Sequence, residues 1–284
     1  MKILITGASG MLGADLQAVL SPDHELVLTD VAGDVIPMDI TDPESVMSVM
    51  EEHRPDVVIH SAAYTDVDGC ERDPDKAFLV NGTGTKNVAA ACREFDASMV
   101  YISTDFVFDG EKGEPYTEND PTNPLGAYGA SKLAGETHVR DICPKHYICR
   151  TAWLYGIHGK NFPFAIINRA KSGQPIKVVS DQIGSPTFTV DLATIIKDII
   201  SSPVYGTYHT TNKGSCSWFD FAKKILALAG MNDVEVTPIK ADDWPSPTRR
   251  PKCSVLRHLT LELQGKDNLR TWEEALEDFI SRTK

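Results

Sequence analysis

Short runs of almost wholly apolar residues alternate with amphipathic segments through the first half of the chain, and this alternation restricts the fold more than any single motif does. "KILITGA", "ELVLTD", "DVVIHSAA", "SMVYIST" and "HYICRTAWLYG" read as strands. Between them, "MLGADLQAVL", "TDPESVMSVMEEH", "DKAFLVNGTGTKNVAAACREF" and "NPLGAYGASKLAGETHVRDI" read as helices, the last after a proline-marked loop. Thr41 or Asp42 caps the second helix, with Pro43 at its first position, where a missing N–H costs nothing. Strands apolar on both faces need cover on both faces, which is the situation of a parallel sheet between two helical layers. The expected class is α/β, a Rossmann-type doubly wound parallel sheet.

The alternation weakens after about residue 156, where the loop "SDQIGSPTFTV" and the proline-dense "PIKADDWPSPTRRPKCS" intervene. We expect a dinucleotide-binding domain over residues 1–155, with returning elements near 186–212. These would be a helix from Asp191 and the strand "GTYHTTN". Residues 156–284 would form mainly a smaller C-terminal substrate-binding lobe.

"TGASGMLG" lies between the first strand and the first helix. Gly7 permits the tight turn, Gly10 lets the backbone approach a pyrophosphate, and Gly13 lets the helix pack close to the sheet. Met11 and Leu12 belong to the same cofactor-binding loop, whose helix N-terminus offers unpaired N–H groups to the anion. Such glycines also serve turns that bind nothing. Context separates the two cases, because Asp30 ends the second strand, where a carboxylate can hold both adenosine ribose hydroxyls. No Lys or Arg lies between Lys2 and Arg54 to receive a 2′-phosphate. NADH is therefore the preferred cofactor, with NADPH as the alternative. Asp39 and Ile40, after a third strand, either hold the adenine or form a cap beside a buried side chain.

In "YGASK", Tyr128 and Lys132 stand at i and i+4 and so share one helix face. An ammonium about 4 Å from a phenolate is worth up to ~4 kcal/mol at an effective dielectric of ~20. That is enough to bring a phenol from ~10 towards ~7, the range of a general acid. The same spacing fits two neighbours on a solvated face. Position decides, since "YISTDFVFDG" and "HSAAYTDV" end strands whose carboxyl ends should converge with the glycine loop. There Thr104 could hydrogen-bond a carbonyl oxygen beside Tyr128.

A formal charge of −12 over 284 residues disfavours a nucleic-acid partner. No apolar run approaches the ~18 residues that span a bilayer. The start shows no cleavage-site pattern, so a cytoplasmic location is expected. Six cysteines without a CxxC pair read as core thiols, and eight histidines without HxxxH or HExxH spacing offer no metal site.

Taken together, TGxxGxxG, the acid after strand two, the Ala pair, the Ser/Thr after strand five and YxxxK resemble the extended short-chain dehydrogenase/reductases. Within that superfamily, "ISTDFVFDG", "NPLGAYGASKLAGE", "RTAWLYG", "DQIGSPT", "YHTTNKGSCSWFDFAKKI" and "RRPKCSVL" resemble the dTDP-4-dehydrorhamnose reductase family, across nearly the whole chain. The resemblance implies reduction of the 4-keto group of dTDP-4-dehydro-L-rhamnose by NAD(P)H. Tyr128 would donate the proton and Lys132 would hold the nicotinamide ribose and favour the phenolate. Thr104 would orient the ketone, and Asp105 would support that turn or contact the sugar. Ala62, Ala63 and Tyr64 match the cofactor-lining turn, with Thr65 and Val67 nearer the sugar. Trp153 matches a substrate-facing aromatic, although a core tryptophan at a strand end fits as well. A homodimer is in keeping with the family.

Phe106 stands where the family commonly has tyrosine, which removes a hydroxyl contact to the sugar. The same phenylalanine argues against a 4,6-dehydratase, in which a glutamate follows Thr-Asp. A nucleotide-sugar epimerase is one alternative reading. A non-catalytic partner resembling the regulatory β subunit of methionine adenosyltransferase is another, against which the intact Thr104, Tyr128 and Lys132 argue.

Overall fold

The computed structural model describes residues 1–283. The first half alternates as expected: β1 (Lys2–Thr6), α1 (Met11–Leu20), β2 (Glu25–Asp30), β3 (Ile36–Pro37), α2 (Pro43–His53) and β4 (Val57–His60). Then follow α3 (Val67–Arg72), α4 (Pro74–Ala77), a π-helical segment (Phe78–Gly84), α5 (Thr85–Glu94), β5 (Ser98–Thr104), α6 (Ala127–Ile142) and β6 (His146–Thr151). Asp42 caps α2 by accepting from the Glu44 N–H, with Pro43 at the first position.

The second half contains β7 (Leu154–Tyr155), α7 (Phe162–Lys171), β8 (Ile176–Val179), β9 (Ile183–Gly184), β10 (Thr187–Phe188) and α8 (Thr189–Ile200). It continues with β11 (Gly206–His209), β12 (Cys216–Ser217), α9 (Trp218–Leu228), β13 (Val236–Ile239), α10 (Leu259–Leu263) and α11 (Trp272–Arg282).

Seven strands form one parallel sheet in the order β11-β6-β5-β4-β1-β2-β3. The order reverses between β1 and β4, which opens a crevice beyond their carboxyl ends. One face packs against α1 and α8, through Leu12, Leu16, Leu192 and Ile196; the other is covered by α2, α5 and α6, through Val46, Val88, Cys92 and Val139. A separate core joins Tyr155, Phe188, Phe221, Trp272 and Phe279 from the later elements. All six cysteines are free thiols. Among the described residues no helix is long and apolar enough to cross a membrane, and no cluster of His, Cys, Asp or Glu could hold a metal.

Three elements differ from the expectation. "HYICRTAWLYG" is two strands in different sheets, because Trp153 takes a left-handed φ of +48° between them. "DKAFLVNGTGTKNVAAACREF" is interrupted by the π-helical segment. The helix expected from Asp191 begins at Thr189.

Gly135 on α6 marks where that helix approaches the sheet most closely. A Cβ there would fall 2.3 Å from the Tyr101 hydroxyl and 2.6 Å from the Asn81 carbonyl. Gly135→Ala should therefore destabilise the protein by about 1–3 kcal/mol through overpacking, although alanine is the better helix former. Urea denaturation checks this, and an unchanged or raised midpoint would refute the close contact.

Candidate active site

The glycine loop fits an anion by its backbone alone. Gly7 adopts φ +68°, and a Cβ on it would lie 2.7 Å from Ala62 N, so the loop rests directly on the end of β4. A Cβ on Gly13 would lie 2.4 Å from Gly7 O, which is why α1 can start so close to β1. Gly10 is the N-cap of α1, is exposed, and has no side chain to cap the helix. The first-turn N–H groups thus face the crevice, as a pyrophosphate requires.

"YGASK" is explained residue by residue. Gly129 presses on the turn after β5, where a Cβ would meet Phe106 O at 2.1 Å. That contact puts Tyr128 beside Thr104, with its ring edge-on to Phe106 at 5.6 Å. Ser131 donates to Tyr128 O at 2.9 Å and accepts from Asn81 Nδ2 at 3.1 Å. Lys132 is buried, its Nζ 4.2 Å above the Tyr101 ring.

Asn81 belongs to no motif of the sequence, yet it clamps the site. It lies in the π-helical segment, accepts from Tyr64 N at 2.8 Å and donates to Tyr64 O at 3.0 Å. π-Helical turns often mark functional sites, and the local signal was the small-residue run "NGTGT". Behind it, Thr85 Oγ1 donates to Asn81 O, so it accepts from His60 Nε2; His60 Nδ1 then accepts from Thr6 Oγ1 at 2.8 Å. Burial, with Lys132 nearby, pushes His60 down to about 3, which keeps the ring neutral.

One cavity of about 710 Å³ gathers nearly all the expected residues. Gly7, Gly10, Met11, Leu12, Gly13, Asp30, Asp39, Ile40, Ala62 and Ala63 line it, as do Thr65, Val67, Thr104, Asp105, Tyr128, Lys132 and Trp153. Tyr64 is not on its wall; the ring turns outward beneath Lys76 Nζ, and only its backbone is held at the site. Asp30 accepts from Ser9 N at 3.0 Å and Val31 N at 2.7 Å, which fixes its carboxylate at the loop. The "MDI" turn is a cap beside a buried side chain that also borders the cavity. Asp39 accepts from the Thr41 N–H and hydroxyl, and Ile40 is buried against Gly84, while both reach the cavity.

Gln182, Lys160, Trp218, Arg250, Pro251 and Ser254 also line the cavity and escaped the sequence reading. Apart from Trp218, which begins α9, they come from loops after residue 156 that no strand-helix pattern places. A second cavity of about 830 Å³ adjoins the first and shares Gln182, Trp218 and Arg250 with it. Arg250 donates to Asp68 at 2.9 Å, and its buried Nε has no hydrogen-bond partner among the described residues.

The electrostatics correct one expectation. Burial pushes the Tyr128 phenol well above its ordinary range, opposed by the Thr104 hydroxyl and reinforced by Asp105. Lys132 does not acidify it in this structure, because the ammonium faces Tyr101, and burial pushes Lys132 itself down to about 7 against the pull of Glu136. A phenol so placed stays protonated at neutral pH.

Asp105 supports the turn and also lines the cavity. It is buried, accepts from Thr104 Oγ1 at 3.1 Å and is bonded to the Ser254 hydroxyl. Burial raises its carboxyl to about 6 from 3.8, despite the Ser254 and Thr104 hydrogen bonds. The folded state therefore holds a proton between pH ~4 and ~6 that the unfolded chain has released, and stability falls as pH rises through that window. Asp105→Asn removes this titration. Its stability relative to the parent should rise by about 2 kcal/mol from pH 4 to 7. Denaturation at both pH values checks this, and a flat difference would refute it.

The comparisons with known proteins agree over the full length. The family described as RmlD substrate binding domain matches residues 1–284. A dTDP-4-dehydrorhamnose reductase from Clostridium acetobutylicum superposes with a TM-score of 0.95 at 48% identity, covering 100% of this chain and 99% of that one. The dTDP-4-dehydrorhamnose reductase from Bacillus anthracis, solved in complex with NADP, also gives 0.95, at 44% identity and 99% coverage of both chains. A dTDP-4-keto-6-deoxy-D-glucose reductase from Streptomyces niveus is 40% identical over 96% of this chain and 94% of its own. With its crevice, glycine loop and Thr-Tyr-Lys set in one parallel-sheet fold, the chain belongs to the RmlD family of dTDP-4-dehydrorhamnose reductases, which are NAD(P)H-dependent oxidoreductases.

Proposed function

We propose that the protein reduces the 4-keto group of dTDP-4-dehydro-L-rhamnose to dTDP-L-rhamnose, with Tyr128 as the proton donor. The observation that carries this reading is that the Thr104 and Tyr128 hydroxyls meet on the wall of the cavity whose other end is the glycine loop. A nicotinamide dinucleotide bound at that loop supplies the hydride. Two hydroxyl donors converging on one oxygen stabilise the negative charge that develops there during reduction. Because the buried phenol remains protonated, it holds the proton the oxygen takes, and the alkoxide that forms is a stronger base than the phenolate left behind. Lys132, fixed over Tyr101 one turn along α6, lines the same cavity, where it would hold the nicotinamide ribose.

The second cavity suits the nucleotide half of the substrate. Arg169, Lys177, Arg249, Arg250 and Lys252 line it together with Phe162, Trp218 and Trp244. Cationic groups suit a diphosphate and aromatic faces suit a pyrimidine. Arg250 borders both cavities, where a diphosphate joining sugar to nucleoside would lie.

Tyr128→Phe should lower turnover of the dTDP-4-keto sugar at least a hundredfold while cofactor binding changes little. Net oxidation of reduced cofactor on adding the sugar is the readout. Near-normal turnover would reject the donor role, and no net oxidation by the parent protein would reject the reductase reading. For the cofactor we propose NADH over NADPH, because the Asp30 carboxylate stands at the end of β2 with no cation between Lys2 and Arg54. Asp30→Ala should shift the NADH to NADPH ratio of kcat/KM about tenfold towards NADPH, the scale of one lost charge interaction. An unchanged ratio would show that the carboxylate does not select.

A further inference from the structure

The indole of Trp153 does not stand alone. It lies flat against Trp218, with centroids 3.5 Å apart and planes inclined by 9°. Trp218 itself packs on Phe162 at 4.6 Å. Gly184 also presses on Trp153, since a Cβ there would fall 2.5 Å from Cε2. These contacts hold a bulky residue at φ +48°, a backbone conformation such residues rarely adopt and keep only where their surroundings overdetermine it. Trp153 follows β6 in the sheet, while Trp218 begins α9 in the other core, with its start fixed by Ser217 accepting from Asp220 N at 3.0 Å. The orientation of the indole, which lines the same cavity as Thr104 and Tyr128, is therefore set by a residue of the other core. Trp153 borders only the first cavity, whereas Trp218 borders both.

We propose that Trp218 is a positioning residue that seats the sugar through Trp153 and couples that seat to the occupant of the second cavity. With Trp218 stacked on it and Gly184 against its ring, the indole offers the cavity a fixed apolar border against which a sugar ring can rest. Tilting that wall moves the ring relative to Tyr128 without touching the dinucleotide loop. A nucleotide arriving in the second cavity meets the other indole of the same stack, so its binding steadies the wall before the sugar is engaged. This inference rests on the assignment of the two cavities to the sugar and the nucleotide.

The test uses Trp218→Ala and Trp218→Phe in the full chain, with dTDP and the dTDP-4-keto sugar as probes. Trp218→Ala should raise KM for the sugar nucleotide about tenfold, with kcat falling less than threefold and cofactor KM within twofold. Trp218→Phe, which keeps a stacking ring, should recover most of the loss. Two nearly parallel indoles also give a coupled ultraviolet circular dichroism band, which either substitution should abolish. In the parent protein dTDP alone should shift that band saturably. An unchanged sugar KM in Trp218→Ala, an equal rise in cofactor KM, or a band indifferent to dTDP would overturn the proposal. Should the parent protein reduce no sugar nucleotide at all, the reductase reading fails, and the dTDP titration still decides whether the indole pair senses the second cavity.

Discussion

The buried carboxylate of Glu136 holds the reacting groups in one frame. It accepts from Ser103 Oγ at 2.6 Å on β5, from Arg150 Nε and Nη2 at 2.8 and 2.7 Å on β6, and from Arg140 at 2.6 Å on its own helix. Charge-assisted bonds of this kind are stronger and more directional than neutral ones. A fully buried carboxylate is tolerable only with such partners, which against the upward push of burial hold it below its ordinary value. Two strands and α6 are thereby tied at one point. Thr104 follows Ser103 directly, and Lys132 lies one turn before Glu136, so the spacing of Thr104, Tyr128 and Lys132 is inherited from this knot.

Much of this was legible in the chain itself. The parallel sheet follows from strands with no polar face, and the site's place follows from where such sheets leave a crevice. The glycine loop, Asp30 and "YGASK" could be read because each depends on local backbone geometry or helical spacing. Trp153 was harder, since the break after β6 comes from contacts with Gly184 and Trp218, which are distant in sequence. Asn81 was invisible for a similar reason: a π-helical turn looks like ordinary helix in a periodicity count. A charge four residues from Tyr128 is visible in sequence, whereas the burial that raises the phenol, and the turn of Lys132 towards Tyr101, are not.

Charge is distributed unevenly on this acidic molecule. Against a formal −12, five cationic side chains line the second cavity with three carboxylates, Asp109, Glu111 and Asp242. A local positive region within a negative field draws anions to one place and repels them elsewhere. Asp68 also organises this region, holding Ser246 at 2.8 Å and Arg250 at 2.9 Å, so a segment from the C-terminal part is fastened across the crevice to α3.

The outermost strand of the sheet, β11, and the helix laid along α1, α8, both come from the second half of the chain. During synthesis, a nascent polypeptide ending near residue 155 would have made six of the seven strands while leaving Leu12, Leu16 and the β6 rim open to water. Exposed apolar area and unpaired strand edges of that kind invite association with other chains. The last strand of the sheet and the helix that covers the α1 face therefore become available only once residues up to His209 have emerged, and the core on that face closes later still, with Leu261 and Leu269.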